Sequence, residues 1–200
     1  VIVVDVNDNA PRFLKDYRPV IMEHQGPTKV EEILATDDDD RSRNNGPPFT
    51  FRLSKDASDT IKEFFDVHQD HKGANGDGMA IVTSKKEFDR EIQKEYLVPI
   101  VIKDSGYPSK SGTSTLTVII GDINDNRMYP GSKNIFVYNF LGQSPPTPIG
   151  RVHVEDLDDW DLPDKSFIWD GGVAHPLFDL NTDDGMITMK NVTNGEYFLR

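Results

Sequence analysis

The chain has 200 residues and a formal charge of −12 at pH 7, with 34 acidic residues against 22 Lys and Arg, so nucleic acid and other polyanions are poor partners for its surface. It has no cysteine, which excludes disulfides, thiolate zinc sites and cysteine nucleophiles together. No apolar run approaches the roughly 18 residues that a membrane-spanning helix needs, and no targeting segment is recognisable at the start.

Taken in chain order, residues 1–4 (Val1, Ile2, Val3, Val4) read as an apolar strand ending at Asp5-Val6-Asn7-Asp8-Asn9. Ile33-Leu34-Ala35, Phe49-Thr50-Phe51-Arg52-Leu53, Phe64-Phe65-Asp66-Val67 and residues 79–82 follow as strand-length stretches between Gly, Pro, Asn and Asp clusters. Residues 88–96 are expected to form a helical turn. Residues 96–103 and the β-branched run Thr113-Ser114-Thr115-Leu116-Thr117-Val118 return to extended chain. Gly76-Asp77-Gly78 and Asp183-Asp184-Gly185 are expected to be hairpin turns with positive φ.

An internal repeat organises these segments. Asp5-Val6-Asn7-Asp8-Asn9 recurs as Asp122-Ile123-Asn124-Asp125-Asn126, each copy after an apolar strand. Ala35-Thr36-Asp37-Asp38-Asp39 is answered by Val154-Glu155-Asp156-Leu157-Asp158, and Phe65-Asp66-Val67 by Phe178-Asp179-Leu180. The period is about 110 residues, the usual size of an independent fold. About seven short strands per unit and no long helix predict an all-β antiparallel sandwich. The expected division is 1–9 as the last strand and linker of a preceding unit, 10–121 as a complete unit, 122–126 as a linker, and 127–200 as a second unit that continues past Arg200.

Clustered acids are usually a solvated loop, but here they flank both sides of a connector, as a hard cation requires. Calcium takes six to eight oxygens at roughly 2.3–2.6 Å. The connector offers Asp122, Asn124, Asp125 and Asn126, upstream stand Glu23 and Asp89-Arg90-Glu91, and downstream Asp156 and Asp158 alternate on extended chain so that both face one side. These residues carry a family resemblance. Asp122-Ile123-Asn124-Asp125-Asn126 resembles the DxNDN linker of cadherins, Asp89-Arg90-Glu91 their DRE motif and Asp156-Leu157-Asp158 their DxD motif. Residues 5–13, reading DVNDNAPRF, match the linker pattern with its trailing Pro11 and Phe13, and Lys103-Asp104-Ser105-Gly106 resembles the segment of a further calcium-binding aspartate.

The resemblance covers the whole chain and implies tandem cadherin repeats, each a seven-stranded Greek-key immunoglobulin-like sandwich. It implies three calcium ions at residues 122–126. Glu23, Asp89, Glu91 and Asp125 would serve the outermost ion. Asp122, Asp125, Asp158, Glu23, Glu91 and the Ile123 carbonyl would serve the middle one. Asn124, Asp156, Asp158 and the Asn126 carbonyl would serve the third. At the upper linker, Asn7, Asn9, Asp37, Asp39, Asn45 and Asp104 would hold the corresponding third ion, with Asp5 and Asp8 completing sites shared with a preceding repeat. The resemblance further implies an extracellular, calcium-dependent cell–cell adhesion segment that serves as spacer or cis-contact region. Its partners would be other cadherin molecules, engaged homophilically through repeats outside this chain, on a single-pass membrane protein linked to catenins, with no small-molecule substrate.

The second unit departs from the pattern. Val137-Tyr138-Asn139-Phe140 stands where Ile21-Met22-Glu23-His24 stood, and Val192-Thr193-Asn194-Gly195-Glu196 where Asp89-Arg90-Glu91 is expected, so no calcium is expected below it. The string DDWDLPDK resembles the last, membrane-proximal repeat of invertebrate-type classical cadherins. Asn191-Val192-Thr193 is a glycosylation triplet in a secreted protein. Among rivals, an EF-hand read from Asp37 fails at Ser42 and Pro48. A zinc site at His68-Gln69-Asp70-His71 competes with an ordinary exposed loop, and no GxSxG, HExxH or P-loop occurs. The enzyme alternative is a secreted calcium-dependent carbohydrate-active enzyme using paired carboxylates. Trp169 is expected in the core, and Trp160 as a loop brace.

Overall fold

The computed structural model of the chain describes residues 2–138, 146–160, 162–191 and 195–200. Two units separate in it, Val1–Gly121 and Asp122–Arg200.

In unit 1, alternation of apolar and polar side chains sets the strands. They are β1 (Arg12–Phe13), β2 (Val20–Met22), β3 (Lys29–Ile33), β4 (Ala35–Thr36) and β5 (Thr50–Leu53), then a short helix α1 (Asp59–Phe64), then β6 (Phe65–Asp70), β7 (Met79–Ser84), β8 (Glu95–Lys103) and β9 (Ser111–Gly121). One sheet runs β2-β9-β8-β5, the other β3-β7-β6, and β1 pairs with β4. The pairs are antiparallel except β2 with β9, where Val20, Ile21 and Met22 lie parallel to Ile119, Ile120 and Gly121.

Along β8, Tyr96, Val98, Ile100 and Ile102 turn inward. They meet Leu116, Val118 and Ile120 of β9 and, from the opposite sheet, Ile33, Phe65, Ala80 and Val82, in one core. Each such side chain, fully buried, contributes about 2 kcal/mol relative to exposure. Two sheets closing on one core make the unit a sandwich, and the chain is all-β in class.

Nine strands stand in unit 1 because two extended stretches are broken. β3 and β4 are interrupted at Leu34, whose amide donates to the Tyr17 hydroxyl at 2.9 Å and whose carbonyl accepts from the Leu14 amide at 2.9 Å. The stretch from Arg12 to Met22 likewise pairs first with β4 and then with β9.

One expectation is refined and one is corrected. Residues 88–96 do contain the expected helical turn, a single one closed by the Gln93 amide on the Asp89 carbonyl at 3.1 Å, between the core residues Phe88 and Tyr96. The helix is α1, capped by Ser58 Oγ accepting from the Ile61 amide at 3.2 Å, with Asp59 favourably placed at its positive end. Ile2, Val3 and Val4 are not a strand: they are exposed and lie in no ladder of the described residues, and extended chain without a neighbour has nothing to hold it. Of the expected hairpin turns, Gly76, Gly78 and Gly185 do take positive φ, at 94°, 83° and 66°. At Gly78 a Cβ would lie 2.4 Å from the Phe49 carbonyl oxygen.

Unit 2 contains β10 (Tyr129–Pro130), β11 (Thr147–Arg151), β12 (Val154–Glu155), β13 (Phe178–Leu180) and β14 (Met186–Met189), arranged as a β10-β12 pair and a β11-β14-β13 sheet. Its core is small: Phe178, Ile187 and Met189, with Ile149, Trp169, Leu177, Leu180 and Leu199 packed on them.

Candidate metal centre

The acidic loop of unit 1 starts where β4 ends. Asp40 caps a 3-10 turn, Arg41–Arg43, by accepting from the Ser42 amide at 2.8 Å, and Asn44 leaves that turn at φ 61°. The turn delivers Asn45, whose Nδ2 donates to Asp5 Oδ2 at 2.9 Å, and the same oxygen accepts from the Asp40 amide at 2.8 Å. The Asn9 amide donates to Asp39 Oδ2 at 3.0 Å, and the Asp39 amide to Asp37 Oδ1 at 3.1 Å. Asn7 is buried, with Nδ2 donating to Asp104 Oδ2 at 3.0 Å and to the Pro108 carbonyl at 2.8 Å. Gly106 permits this, since a Cβ there would lie 2.3–2.5 Å from the Asn7 amide group. Asp5, Asn7, Asn9, Asp37, Asp39, Asn45 and Asp104 are thus held at one end of the sandwich by their own hydrogen bonds, while Asp8 is exposed beside Asn9.

Two oxygens of this group, Asn7 Oδ1 and Asp37 Oδ2, are buried and accept no hydrogen bond among the described residues. Burial pushes the Asp37 carboxyl above its ordinary value, and the negative charges of Asp39 and Asp104 push the same way against the hydrogen bond from the Asp39 amide. The exposed guanidinium of Arg12 pairs at 2.8 Å with Asp38, whose carboxyl it holds below the usual range.

After β2 and just before β8, unit 1 brings together Glu23, Asp89 and Glu91, with carboxylate oxygens within 4.8 Å of one another. Glu23 is completely buried. It is fixed by the Arg90 amide, which donates to Glu23 Oε2 at 2.7 Å, while the buried Arg90 guanidinium donates to the Ile120 carbonyl. The Ile92 amide holds Asp89 Oδ1 at 3.1 Å. Arg90 is a positioning residue that the acid-counting logic of the sequence missed, because its backbone rather than its charge reaches Glu23.

In unit 2, Asp122 Oδ2 accepts from the amides of Asp159 and Trp160 at 2.8 and 2.7 Å, which makes Trp160 a loop residue, 46% exposed. The Asn126 amide donates to Asp158 Oδ2 at 3.0 Å, its Nδ2 to Asp158 Oδ1 and Asp125 Oδ1 at 2.8 Å each, and the Asp158 amide to Asp156 Oδ1 at 3.3 Å. Asn124 and Ile123 are exposed. Lys165, the last residue of the DDWDLPDK string but not expected to meet a carboxylate, reaches Asp156 Oδ2 at 3.1 Å.

The sequence-predicted residues therefore fall into three clusters of oxygen donors, without sulfur. The orphaned buried oxygens and mutually repelling carboxylates of the Asp37 loop fit a hard divalent cation such as calcium. At His68-Gln69-Asp70-His71 the groups are used otherwise. Gln69 Oε1 accepts from the Phe51 amide at 2.6 Å, and Asp70 Oδ1 accepts from the amides of Lys72 and Gly73 at 2.9 and 3.1 Å. Asn191 is exposed, but Val192 and Thr193 of its triplet lie outside the described residues, as do Asn139, Phe140 and Asn194 of the segments where unit 2 departs from the repeat.

Comparison with known proteins agrees with this architecture. The chain is 67% identical over its full length to Neural-cadherin of Drosophila melanogaster, 56% to Putative neural-cadherin 2 of the same fly, and 38% over 94% of its length to Cadherin-related hmr-1 of Caenorhabditis elegans. It spans 6%, 11% and 6% of those relatives' lengths. Among solved structures, a protocadherin gammaB7 EC3-6 cis-dimer matches 97% of the chain and 46% of its own at a TM-score of 0.51 and 22% identity, which speaks to the fold alone. These are all cadherins, so the carboxylate pairs are not the catalytic pair of a glycosidase. The Cadherin domain model matches residues 17–121, more than half the length, and on that match the chain belongs to the cadherin family.

Proposed function

We propose that the chain is a calcium-binding segment of an extracellular cell–cell adhesion protein, in which two tandem repeats and their connector act as a spacer or cis-contact region. The observation that carries the reading is the Asp37 loop, where buried oxygens of Asn7 and Asp37 accept no hydrogen bond among the described residues while the negative charges of Asp39 and Asp104 bear on Asp37. Asn7, Asn9, Asp37, Asp39, Asn45 and Asp104 would hold a cation there. Glu23, Asp89 and Glu91 of unit 1, with residues 122–126 and Asp158 of unit 2, would serve the connector between the repeats; Asp156, expected from the sequence to join them, is paired with Lys165. Bound calcium would supply positive charge that offsets the carboxylates' mutual repulsion.

What the residues do themselves is pre-order the donors. Backbone amides fix one oxygen of Asp37 and one of Asp122, while Asn9 and Asn126 hold both oxygens of Asp39 and of Asp158. Two unit charges about 4 Å apart repel by ~1 kcal/mol in water and ~4 at an effective dielectric of 20, so without a cation the acidic ends are expected to loosen and the connector to flex. Homophilic partners, a membrane-anchored parent and its link to catenins are expectations of the same reading.

Small-angle scattering of the chain in chelator and in millimolar calcium tests the proposal. Calcium should lengthen and narrow the distance distribution. An unchanged maximum dimension and flexibility would sink the spacer reading.

A further inference from the structure

The two acidic loops are built on one plan. Asp5 and Asp122 each accept from the amide at the same loop position, Asp40 and Asp159. Asn9 and Asn126 each hold Asp39 and Asp158 through both backbone and side-chain nitrogens. Asp37 and Asp156 each accept the amide two residues on through Oδ1. The second oxygen is where they part. Asp37 Oδ2 is buried with no hydrogen bond among the described residues. Asp156 Oδ2 lies 3.1 Å from the ammonium of Lys165, with both side chains enclosed at 9% and 5% exposure for Lys165 and Asp156.

Lys165 stands directly after the 3-10 turn Leu162–Asp164, as Asn44 and Asn45 follow the turn Arg41–Arg43 in unit 1. Where unit 1 presents a neutral amide oxygen-donor residue, unit 2 presents a cation. Asn7, the buried donor of unit 1, has as its counterpart the exposed Asn124. One position of the second loop thus carries its own positive charge and lacks the buried amide of the first.

We propose that the Lys165 ammonium is the resident cation at Asp156 in the unit 2 acidic loop, standing in for the third calcium ion, so that the Asp156 carboxylate is charge-compensated without metal. The proposal rests on the calcium reading above for what it replaces. An ammonium donates hydrogen bonds and brings one charge, whereas calcium would need further oxygens around Asp156. A lysine so enclosed is held by its pair, because separating the two would leave each charge in an enclosed place without the opposite charge now in contact with it.

Side-chain NMR of Lys165, assigned with Lys165→Met, tests this on the intact chain. The Lys165 Nζ signal should be shifted and protected from solvent exchange both in chelator and at saturating calcium. Its release by calcium to the position of exposed lysines would overturn the proposal. Amide exchange supplies a second measurement. In chelator, Lys165→Met should speed exchange at Asp158, Asp159 and Trp160 at least tenfold, and unchanged exchange would also overturn it. The Asp39 and Asp40 amides in the same spectra report calcium binding by unit 1. If they ignore calcium, the calcium reading fails, whatever the lysine does.

Discussion

The acidic loops after β4 and after β12 share their hydrogen bonds but not their charge balance. In unit 1, the negative charges of Asp39 and Asp104 bear on Asp37, and the Arg12 guanidinium is paired with exposed Asp38. In unit 2, a lysine from within the loop closes on Asp156. On the proposed reading, the same backbone plan carries a loop that waits for an external ion and a loop that brings its own, and the count of aspartates in a motif then does not measure how much metal it needs.

Breaking the internal pair should have the largest effect. Lys165→Met takes the ammonium away from the enclosed Asp156 carboxylate and should cost unit 2 about 3 kcal/mol, read as faster exchange at Ile187 in chelator, with unit 1 amides such as Val98 unaffected. Next comes Gly106→Ala, which drives a methyl into Asn7. It should cost unit 1 about 2 kcal/mol and weaken calcium binding in a titration, and equal affinity would show that Asn7 is not a ligand.

Calcium itself, at ten times its dissociation constant, should stabilise unit 1 by about 1.4 kcal/mol per ion, seen as a rise in melting temperature that chelator reverses. Acid should give a smaller effect that depends on the metal-free state. The Asp37 value is raised, so its contribution to stability is fully present below the ordinary 3.8 and lost as pH rises through the folded value. In chelator, Asp37→Asn should flatten that slope in a pH series of unfolding curves. Smallest of all is Arg12→Ala. Asp38 is lowered, so the pair's contribution is present above 3.8 and lost as pH falls through the folded value; at neutral pH and physiological salt the melting temperature should move by less than about 2 °C.

The fold class was legible because alternation writes itself into strands such as residues 96–103, where every second side chain must be apolar to meet the other sheet. The residues of the Asp37 loop were legible for a similar reason: a motif repeated at both loops exposes the positions that the hydrogen-bond plan demands. What was hidden depended on contacts without a local signature. Tyr17 splits a strand at Leu34 from 17 residues away, and Arg90 acts on Glu23 through an amide that any residue possesses. The helix at Asp59–Phe64 had a signal in Ser58-Asp59, which its brevity concealed, whereas residues 88–96 looked helical and hold one turn between the core residues Phe88 and Tyr96. Lys165 was invisible because only the folded loop shows which carboxylate it meets.

The parallel pairing of β2 with β9 has a mechanical consequence. One strand lies near the start of unit 1 and the other ends it, so a pull on the chain from both sides runs along the two strands in opposite directions. Three residue pairs, Val20 with Ile119, Ile21 with Ile120 and Met22 with Gly121, then resist sliding together instead of parting one at a time. A ladder loaded in shear yields through a single cooperative barrier, which sets the unfolding rate under force. That is the arrangement expected of a module that lives under tension.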